Sequence, residues 1–287
     1  MQRLLVFVFI LHVTDVNALQ LKNFKVGECT YEGERKLSPE PSPCSSSTKL
    51  RTALTDRASL WDNGRVPYVF NGTFTDREKK TMQKVMELYQ HYTCIKFVPK
   101  TKNDKFYAII VNDRDECCSE LGKLPSGSRP SVITLGPSCF HEDVAGTVIH
   151  EFMHLIGFYH EFVRSDRDNY IEVTPLNILP KHRKEFKIES GNTFNIPYDY
   201  DSIMHYSVYQ AAIQYPLKSF VAKDKSVMES RMGQICGFSK GDITKINIVY
   251  NCPQKTADLN LQDDVLYGVD ISTVEVKYEI LDKCEVC

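Results

Sequence analysis

The hydrophobic positions of the chain mark out an amphipathic helix within its first hundred residues. Between Arg77 and Tyr92 the apolar residues recur three and four positions apart, at Met82, Val85, Met86 and Tyr89. This spacing places them on one helical face, because an α-helix completes a turn about every 3.6 residues. The pattern predicts a helix that packs one side against a core.

Short apolar runs rich in β-branched and aromatic residues follow this helix. They predict strands at Ile95–Val98, Tyr107–Val111 and Val132–Leu135. Two further helices are predicted, over Val144–Gly157 and over Ser239–Tyr250, the second capped by its first serine. The chain therefore mixes strands and helices over most of its length.

The amino terminus has a different pattern. Residues Met1–Ala18 combine Arg3, an apolar core at Leu4–Leu11 and the sequence Val16-Asn17-Ala18, which is typical of a secretory signal peptide and its cleavage site. The apolar core is too short to cross a bilayer comfortably. We therefore expect a secreted, extracellular protein without membrane insertion, and a retained signal anchor is the alternative. Asn71 then begins an N-glycosylation sequon.

Composition narrows the class of protein. The 287 residues are 42% apolar and carry a formal net charge of −2, which suits one sizeable two-part domain. No basic excess indicates a nucleic-acid or lipid partner, and the charges are spread as on a solvated surface. The Ser- and Pro-rich stretch Ser38–Ser47 is typical of an exposed linker.

Candidate chemistry is concentrated in the sequence HEFMHLIGFYH, from His150 to His160. On a helix, His150 and His154 lie one turn apart on the same face, so both imidazoles can reach one metal ion. Gly157 can end that helix with a left-handed turn, which would deliver His160 as a third ligand. Glu151 projects beside them, where it could deprotonate a metal-bound water. Three imidazoles and an open position are typical of catalytic zinc, and ordinary buried histidines are the alternative.

Four stretches resemble the astacin family of metzincin zinc proteases, in the family's order, from roughly Thr52 to Cys252. They are LWDNGRVPYVF (Leu60–Phe70), HEFVRSDRDNY (His160–Tyr170), PYDYDSIMHY (Pro197–Tyr206) and GFSKGDITKINIVYNC (Gly237–Cys252). The resemblance implies an α+β, two-lobed fold, with a twisted mixed sheet, helices above the active-site cleft and an irregular C-terminal lobe. An extended peptide substrate would pair with an edge strand of that sheet.

The resemblance also implies roles for individual residues. Three histidines match the ligands of one Zn²⁺ per subunit: His150, His154 and His160. Glu151 matches the general base, and Met204 matches the methionine of a turn beneath the metal. Tyr206 matches a tyrosine that is a fifth zinc ligand in the resting enzyme and then stabilises the oxyanion. The expected function is a secreted, monomeric zinc endopeptidase, made as a zymogen, that cleaves proteins or peptides through a zinc-bound water activated by Glu151.

The implied organisation has four parts: a signal peptide at 1–18, an activation propeptide at 19–51, a catalytic domain at 52–252 and a short C-terminal tail at 253–287. Counting back from Leu60 and Trp61 places the mature start at Thr52, so a trypsin-like activating protease would cleave after Arg51. The resemblance implies that the new amino terminus pairs with Glu161, the residue after the third histidine. A plain surface charge is the alternative for this glutamate.

Latency in the family comes from a propeptide aspartate that ligates zinc, within a Phe-x-Gly-Asp motif. The nearest match here is Tyr31-Glu32-Gly33-Glu34, so Glu34 is the candidate, with Glu in place of Asp. A thiolate of Cys29 or Cys44 is a rival ligand. A disulfide between these two cysteines is the favoured interpretation.

Ten cysteines in a secreted chain predict disulfides. The resemblance implies two pairs, Cys94–Cys252 and Cys117–Cys139. The other pairings stay open: Cys118, Cys236, Cys284 and Cys287.

Substrate preference is not assigned by the sequence. Many relatives select an acidic residue after the scissile bond through the arginine of a Gly-Gln-Arg motif. Here Gly233-Gln234 is followed by Ile235, and Arg231 lies close by. An acidic preference is therefore not expected from the motif alone.

Two other classes of function remain open at this point. One is a catalytically inactive binding protein, against which the intact Glu151, Tyr206 and histidines argue. The other is a different metzincin, such as a matrix metalloprotease or an adamalysin. Glu161, Tyr206 and the lack of a proper thiol switch in the propeptide favour an astacin.

Overall fold

The computed structural model describes residues 57–253, except 113–114, 128, 141–144 and 190–191. The expected signal peptide, the Arg51–Thr52 cleavage site, the latency candidate Glu34 and residues 254–287 of the tail lie outside the described residues. Within the described part, no helix is both long and apolar enough to cross a membrane.

Helix α1 spans Asp76–Tyr92 and confirms the first predicted helix. It begins at a capping box, in which the Thr75 hydroxyl accepts from the Glu78 N–H and the Glu78 carboxylate accepts from the Thr75 N–H. Its predicted apolar face is the buried one: Met82, Val85, Met86 and Tyr89.

A five-stranded mixed sheet packs with the helices. Its strands are β1 (Arg65–Asn71), β2 (Lys96–Pro99), β3 (Ala108–Val111), β4 (Cys117–Ser119) and β5 (Ser131–Leu135). Their order is β2-β1-β3-β5-β4, in which only β4 runs antiparallel to its neighbour. The three predicted strands are confirmed within one residue at each end. Strands β1 and β4 were not predicted, because Pro67 weakens the first as a strand and the second is only three residues long.

Two more helices contribute to the same apolar core as this sheet. Helix α2 spans Gly146–Leu155, and helix α3 spans Lys240–Val249. The Ser239 hydroxyl caps α3 by accepting from the Asp242 N–H, so the predicted cap is confirmed.

The C-terminal lobe is largely irregular, with short turns of 3₁₀-helix and a two-stranded antiparallel sheet of β6 (Ile171–Val173) and β7 (Phe220–Ala222). It has its own apolar cluster, which includes Phe162, Tyr206 and Phe220. A larger cluster joins the five-stranded sheet to α1, α2 and α3, and it includes Met204. The α+β fold with an irregular second lobe is therefore confirmed.

Disulfides join distant parts of the chain at Cys94–Cys252 and Cys117–Cys139, the pairs that the resemblance implied. The first connects the end of α1 to the end of the domain. The second connects the edge strand β4 to the turn after β5.

Candidate metal centre and active site

Helix α2 carries the first two histidines of the site. His150 and His154 are one turn apart, and their ring centroids are 4.7 Å from each other. The helix is apolar on most of its surface, and most of its residues are buried. Both imidazoles are therefore fixed on one side of a rigid element.

The end of α2 turns the chain back toward these rings. Gly157 has φ of +100°, a conformation that side chains disfavour. Its N–H donates to the His154 oxygen at 2.8 Å, and the Phe158 N–H donates to the Met153 oxygen at 3.1 Å. These hydrogen bonds close the end of the helix around a left-handed glycine, so the predicted left-handed turn is confirmed.

The reversed chain brings His160 to the other two histidines. Its Nε2 atom lies 3.1 Å from the Nε2 atoms of both His150 and His154. The ligand atoms of all three lie within 4.8 Å of one another. The structure thus brings together the three histidines that the motif singled out.

Hydrogen bonds on the far side of the rings set which nitrogens face inward. The His150 Nδ1 donates to the Ile203 oxygen and the His154 Nδ1 donates to the Phe158 oxygen, both at 2.7 Å. A carbonyl oxygen only accepts, so these protons sit on Nδ1 and the Nε2 lone pairs point into the site. Lone pairs this close repel unless a cation lies between them.

A zinc ion fits this donor set. Nitrogens at ~2.0–2.1 Å from a tetrahedral Zn²⁺ lie about 3.3 Å apart, close to the 3.1 Å separations found here. Burial lowers the pKa of His150 to about 4 and of His154 to about 3, and the pKa of His160 falls well below its usual value. Neutral imidazoles are the form that binds metal.

Glu151 follows His150 on α2 and is 3% exposed. Its Oε2 is buried and has no hydrogen-bond partner among the described residues. Burial raises the pKa of this carboxyl to about 8. An unsatisfied buried carboxyl oxygen is costly, and this one belongs to the helix that carries His150 and His154.

The turn containing Met204 lies against the site. Met204 is 1% exposed, and its oxygen accepts from the Glu161 N–H at 2.8 Å. The ring of Tyr206 lies 4.7 Å from that of His160 and 4.2 Å from that of Phe162. The structure therefore places Tyr206 against His160 and Met204 against the residue that follows His160.

Glu161 is buried rather than a plain surface charge. Its Oε1 accepts from Arg164 at 3.0 Å and from the Asp199 N–H at 2.9 Å, and its Oε2 lies 2.5 Å from Lys245 Nζ. Lys245 is a residue of this cluster that the sequence alone does not indicate. The Ser239-Lys-Gly-Asp242 capping pattern marks the start of its helix, but no local signal shows that this lysine reaches Glu161.

The other predicted site residues lie apart. Asn71 is exposed at the end of β1. The guanidinium of Arg231 donates to Asp201 at 2.6 Å, so the arginine near Ile235 is held by an acidic neighbour. Cys118 is disulfide-bonded as well.

Known proteins resemble this chain in sequence and structure. The model of the peptidase family described as Astacin matches residues 53–251. The zinc metalloproteinase nas-7 of Caenorhabditis elegans is 34% identical over 206 residues, which are 71% of this chain and 51% of that protein. Tolloid-like protein 1 of Mus musculus is 33% identical over 223 residues, 76% of this chain and 21% of that one.

The chain therefore spans about half the length of the first relative and about a fifth of the second. Among solved structures, High choriolytic enzyme 1, a hatching enzyme zinc-protease from Oryzias latipes (Medaka fish), matches with a TM-score of 0.63 and 31% identity. That match covers 71% of this chain and 100% of the other. The chain belongs to the astacin family of zinc metallopeptidases.

Proposed function

We propose that this chain is a secreted zinc endopeptidase, made as a zymogen, that hydrolyses peptide bonds in protein substrates. The observation that carries the proposal is the convergence of three inward-facing imidazole nitrogens on one point. The buried, unsatisfied Glu151 carboxyl on the same helix supports hydrolysis rather than a structural metal. Structural zinc sites fill all four positions with protein ligands, whereas catalytic sites use three.

Each residue of the site has a part in this reaction. The three histidines would hold a Zn²⁺ ion, which when bound would supply Lewis-acid chemistry, lowering the pKa of a water and polarising the scissile carbonyl. Glu151 accepts the proton of the attacking water at Oε2 and returns it to the leaving amine.

Tyr206 is proposed as the donor to the developing oxyanion and as a fifth zinc ligand in the resting enzyme. Its ring packs against Phe162 and His160, which restricts the path along which the hydroxyl can swing. A phenol that donates to the oxyanion stabilises the transition state more than the substrate.

Substrate would bind as an extended segment along β4. This strand lies at one edge of the sheet. The loop after it contacts α2, because the Gly122 N–H donates to the His154 oxygen at 3.0 Å. A peptide paired with β4 would therefore run past the histidines. Main-chain pairing of this kind binds many sequences, as an endopeptidase requires.

Activation is proposed to follow cleavage after Arg51, with Glu34 as the propeptide's zinc ligand. The new amino terminus at Thr52 would reach Glu161. A cavity of about 20 Å³ adjoins Glu161, Arg164 and Lys245, and this is room for about one water between an ammonium and the carboxylate.

Secretion is proposed from the signal-like Met1–Ala18 sequence. The disulfides Cys94–Cys252 and Cys117–Cys139 suit an oxidising compartment. The exposed Asn71 is the proposed glycosylation acceptor. The protein is proposed to act as a monomer.

The decisive experiment is cleavage of casein by the full chain after trypsin treatment and trypsin inhibition. We expect activity with one zinc per chain, lost on chelation and restored by added Zn²⁺. Glu151→Ala should keep its zinc and lose at least about 100-fold in kcat, the low end for a general base. Amino-terminal sequencing should find Thr52 as the new first residue.

His91→Ala is the matched control for His154→Ala, because His91 is an exposed histidine on α1. It should retain zinc and activity, whereas His154→Ala should lose both. Folded, zinc-loaded protein that starts at Thr52 and cleaves neither casein nor a peptide library would contradict the proposal and favour a binding protein.

A further inference from the structure

Lys245 is a buried cation on α3 that faces two carboxylates. Its Nζ lies 2.5 Å from Glu161 Oε2 and 4.0 Å from Asp242 Oδ1. The residue is only 8% exposed. Burial opposes the charge, but Glu161, Asp199 and Asp242 outweigh it and raise the pKa of the ammonium. Lys245 is therefore charged although it is buried. The proposed reaction does not use this charge.

The first of these carboxylates, that of Glu161, connects Lys245 to the backbone next to His160. Glu161 is the next residue along the chain, and its N–H donates to the Met204 oxygen. Its carboxylate also accepts hydrogen bonds from the Arg164 guanidinium and the Asp199 N–H. Lys245 is the donor that ties this loop to α3 and hence to the larger apolar core. The position of the His160 backbone thus depends on a contact between the two lobes.

The second carboxylate, that of Asp242, is connected to His150 by hydrogen bonds through Ile203. Asp242 is fully buried and accepts from the Ile203 N–H at 2.9 Å and from the Ser202 hydroxyl at 2.5 Å. The oxygen of Ile203 then accepts from His150 Nδ1 at 2.7 Å. The Asp242 carboxylate thus holds the main chain at Ile203, the residue whose oxygen sets the tautomer of His150.

We propose that Lys245 is a positioning residue for the metal centre, which holds His150 through Asp242 and Ile203 and holds His160 through Glu161. The inference rests on the proposed function only in that the three histidines bind zinc. Without the ammonium, the positive charge between the buried carboxylates of Glu161 and Asp242 would be lost, their repulsion would increase, and one of them would move. Such a movement would shift the histidine that depends on it and weaken its bond to the metal. Loss of such outer contacts commonly costs 10- to 100-fold in metal affinity.

The test compares Lys245→Met with Lys245→Arg in the full chain. The readout is the rate at which zinc passes to an excess of chelator, followed by a zinc-sensitive dye, together with the visible spectrum of the Co²⁺-substituted protein. We expect Lys245→Met to release zinc at least about 10-fold faster than the parent protein and to shift the Co²⁺ bands. After activation its kcat should fall with KM within about twofold. Lys245→Arg should restore zinc retention, because it returns the charge.

Lys240→Met is the matched control, a lysine at the start of the same helix, and it should leave every readout unchanged. Should Lys245→Met fail to fold by circular dichroism, Lys245→Gln replaces it, since its amide can still donate to Glu161 but carries no charge. A folded Lys245→Met or Lys245→Gln variant with parental zinc release and Co²⁺ spectrum would overturn the proposal. Because zinc release is measured without substrate, a protein that cleaves nothing would defeat the proposed function while leaving this test intact.

Discussion

The indole N–H of Trp61 donates to the main-chain oxygen of Leu155 at 2.7 Å, across 94 residues of sequence. The hydroxyl of Tyr250 likewise donates to the Ile156 oxygen at 2.8 Å. The last carbonyls of a helix have no partners within it, and these two aromatic side chains satisfy them at the end of α2. The turn that delivers His160 is therefore anchored by side chains from both ends of the domain.

Trp61→Phe should lower the free energy of unfolding by about 1–3 kcal/mol, because the buried Leu155 oxygen loses the indole donor while most of the apolar contact is kept. Urea unfolding followed by circular dichroism measures this difference. Tyr215→Phe is the control, since Tyr215 is 76% exposed. A loss no larger than that of the control would show that the hydrogen bond does not stabilise the helix end.

Tyr206→Phe should reduce kcat by about 100- to 1,000-fold with little change in KM, because the ring contacts remain while the proposed donor to the oxyanion is gone. Steady-state kinetics on a fluorogenic peptide would test this after activation. Tyr209→Phe, in the same lobe, should retain parental kinetics. Equal kcat values for the two variants would remove Tyr206 from the mechanism.

Acid should destabilise the protein through His205. This ring is buried and neutral, with Nδ1 donating to the Tyr206 oxygen and Nε2 accepting from the Tyr198 hydroxyl. Burial lowers its pKa to about 4, below the ordinary value of about 6.5 in the unfolded chain. Its contribution to stability is therefore complete above pH ~6.5 and is lost as pH falls toward 4, because only the unfolded state takes up the proton.

The expected slope from this one histidine is up to about 1.4 kcal/mol per pH unit within that window. Urea unfolding of zinc-saturated protein between about pH 7 and pH 5, the upper part of the window, measures it. His205→Gln can keep a donor and an acceptor without titrating, so its free energy of unfolding should fall less steeply with acid. Parallel curves for the two proteins would exclude His205 as a source of the acid sensitivity.

The two disulfides should differ in what their removal costs. Cys94–Cys252 closes a separation of 158 residues and Cys117–Cys139 one of only 22. Loop-closure entropy predicts that the paired Cys→Ser change at the first disulfide costs about 1–2 kcal/mol more than at the second. Thermal unfolding of the two double variants provides the comparison. A larger loss from the shorter loop would mean that native contacts, rather than chain entropy, decide the effect.

The parts of the site that the sequence predicted depend on local rules. His150 and His154 share a face because they are one helical turn apart. Gly157 ends the helix because it tolerates a positive φ. The face of α1 and the cap at Ser239 follow from spacing and side-chain chemistry within a few residues. Such features need no knowledge of the rest of the chain.

The sequence by itself therefore determined the helix that carries His150 and His154, the turn after it and the apolar faces that pack. The tertiary structure decided that Lys245 reaches Glu161, that Trp61 closes the end of α2, and that Ile203 sets the tautomer of His150. Each of these contacts joins residues dozens of positions apart. They form only when the whole domain has packed, and no periodicity along the chain records which distant side chains that packing brings within hydrogen-bond distance.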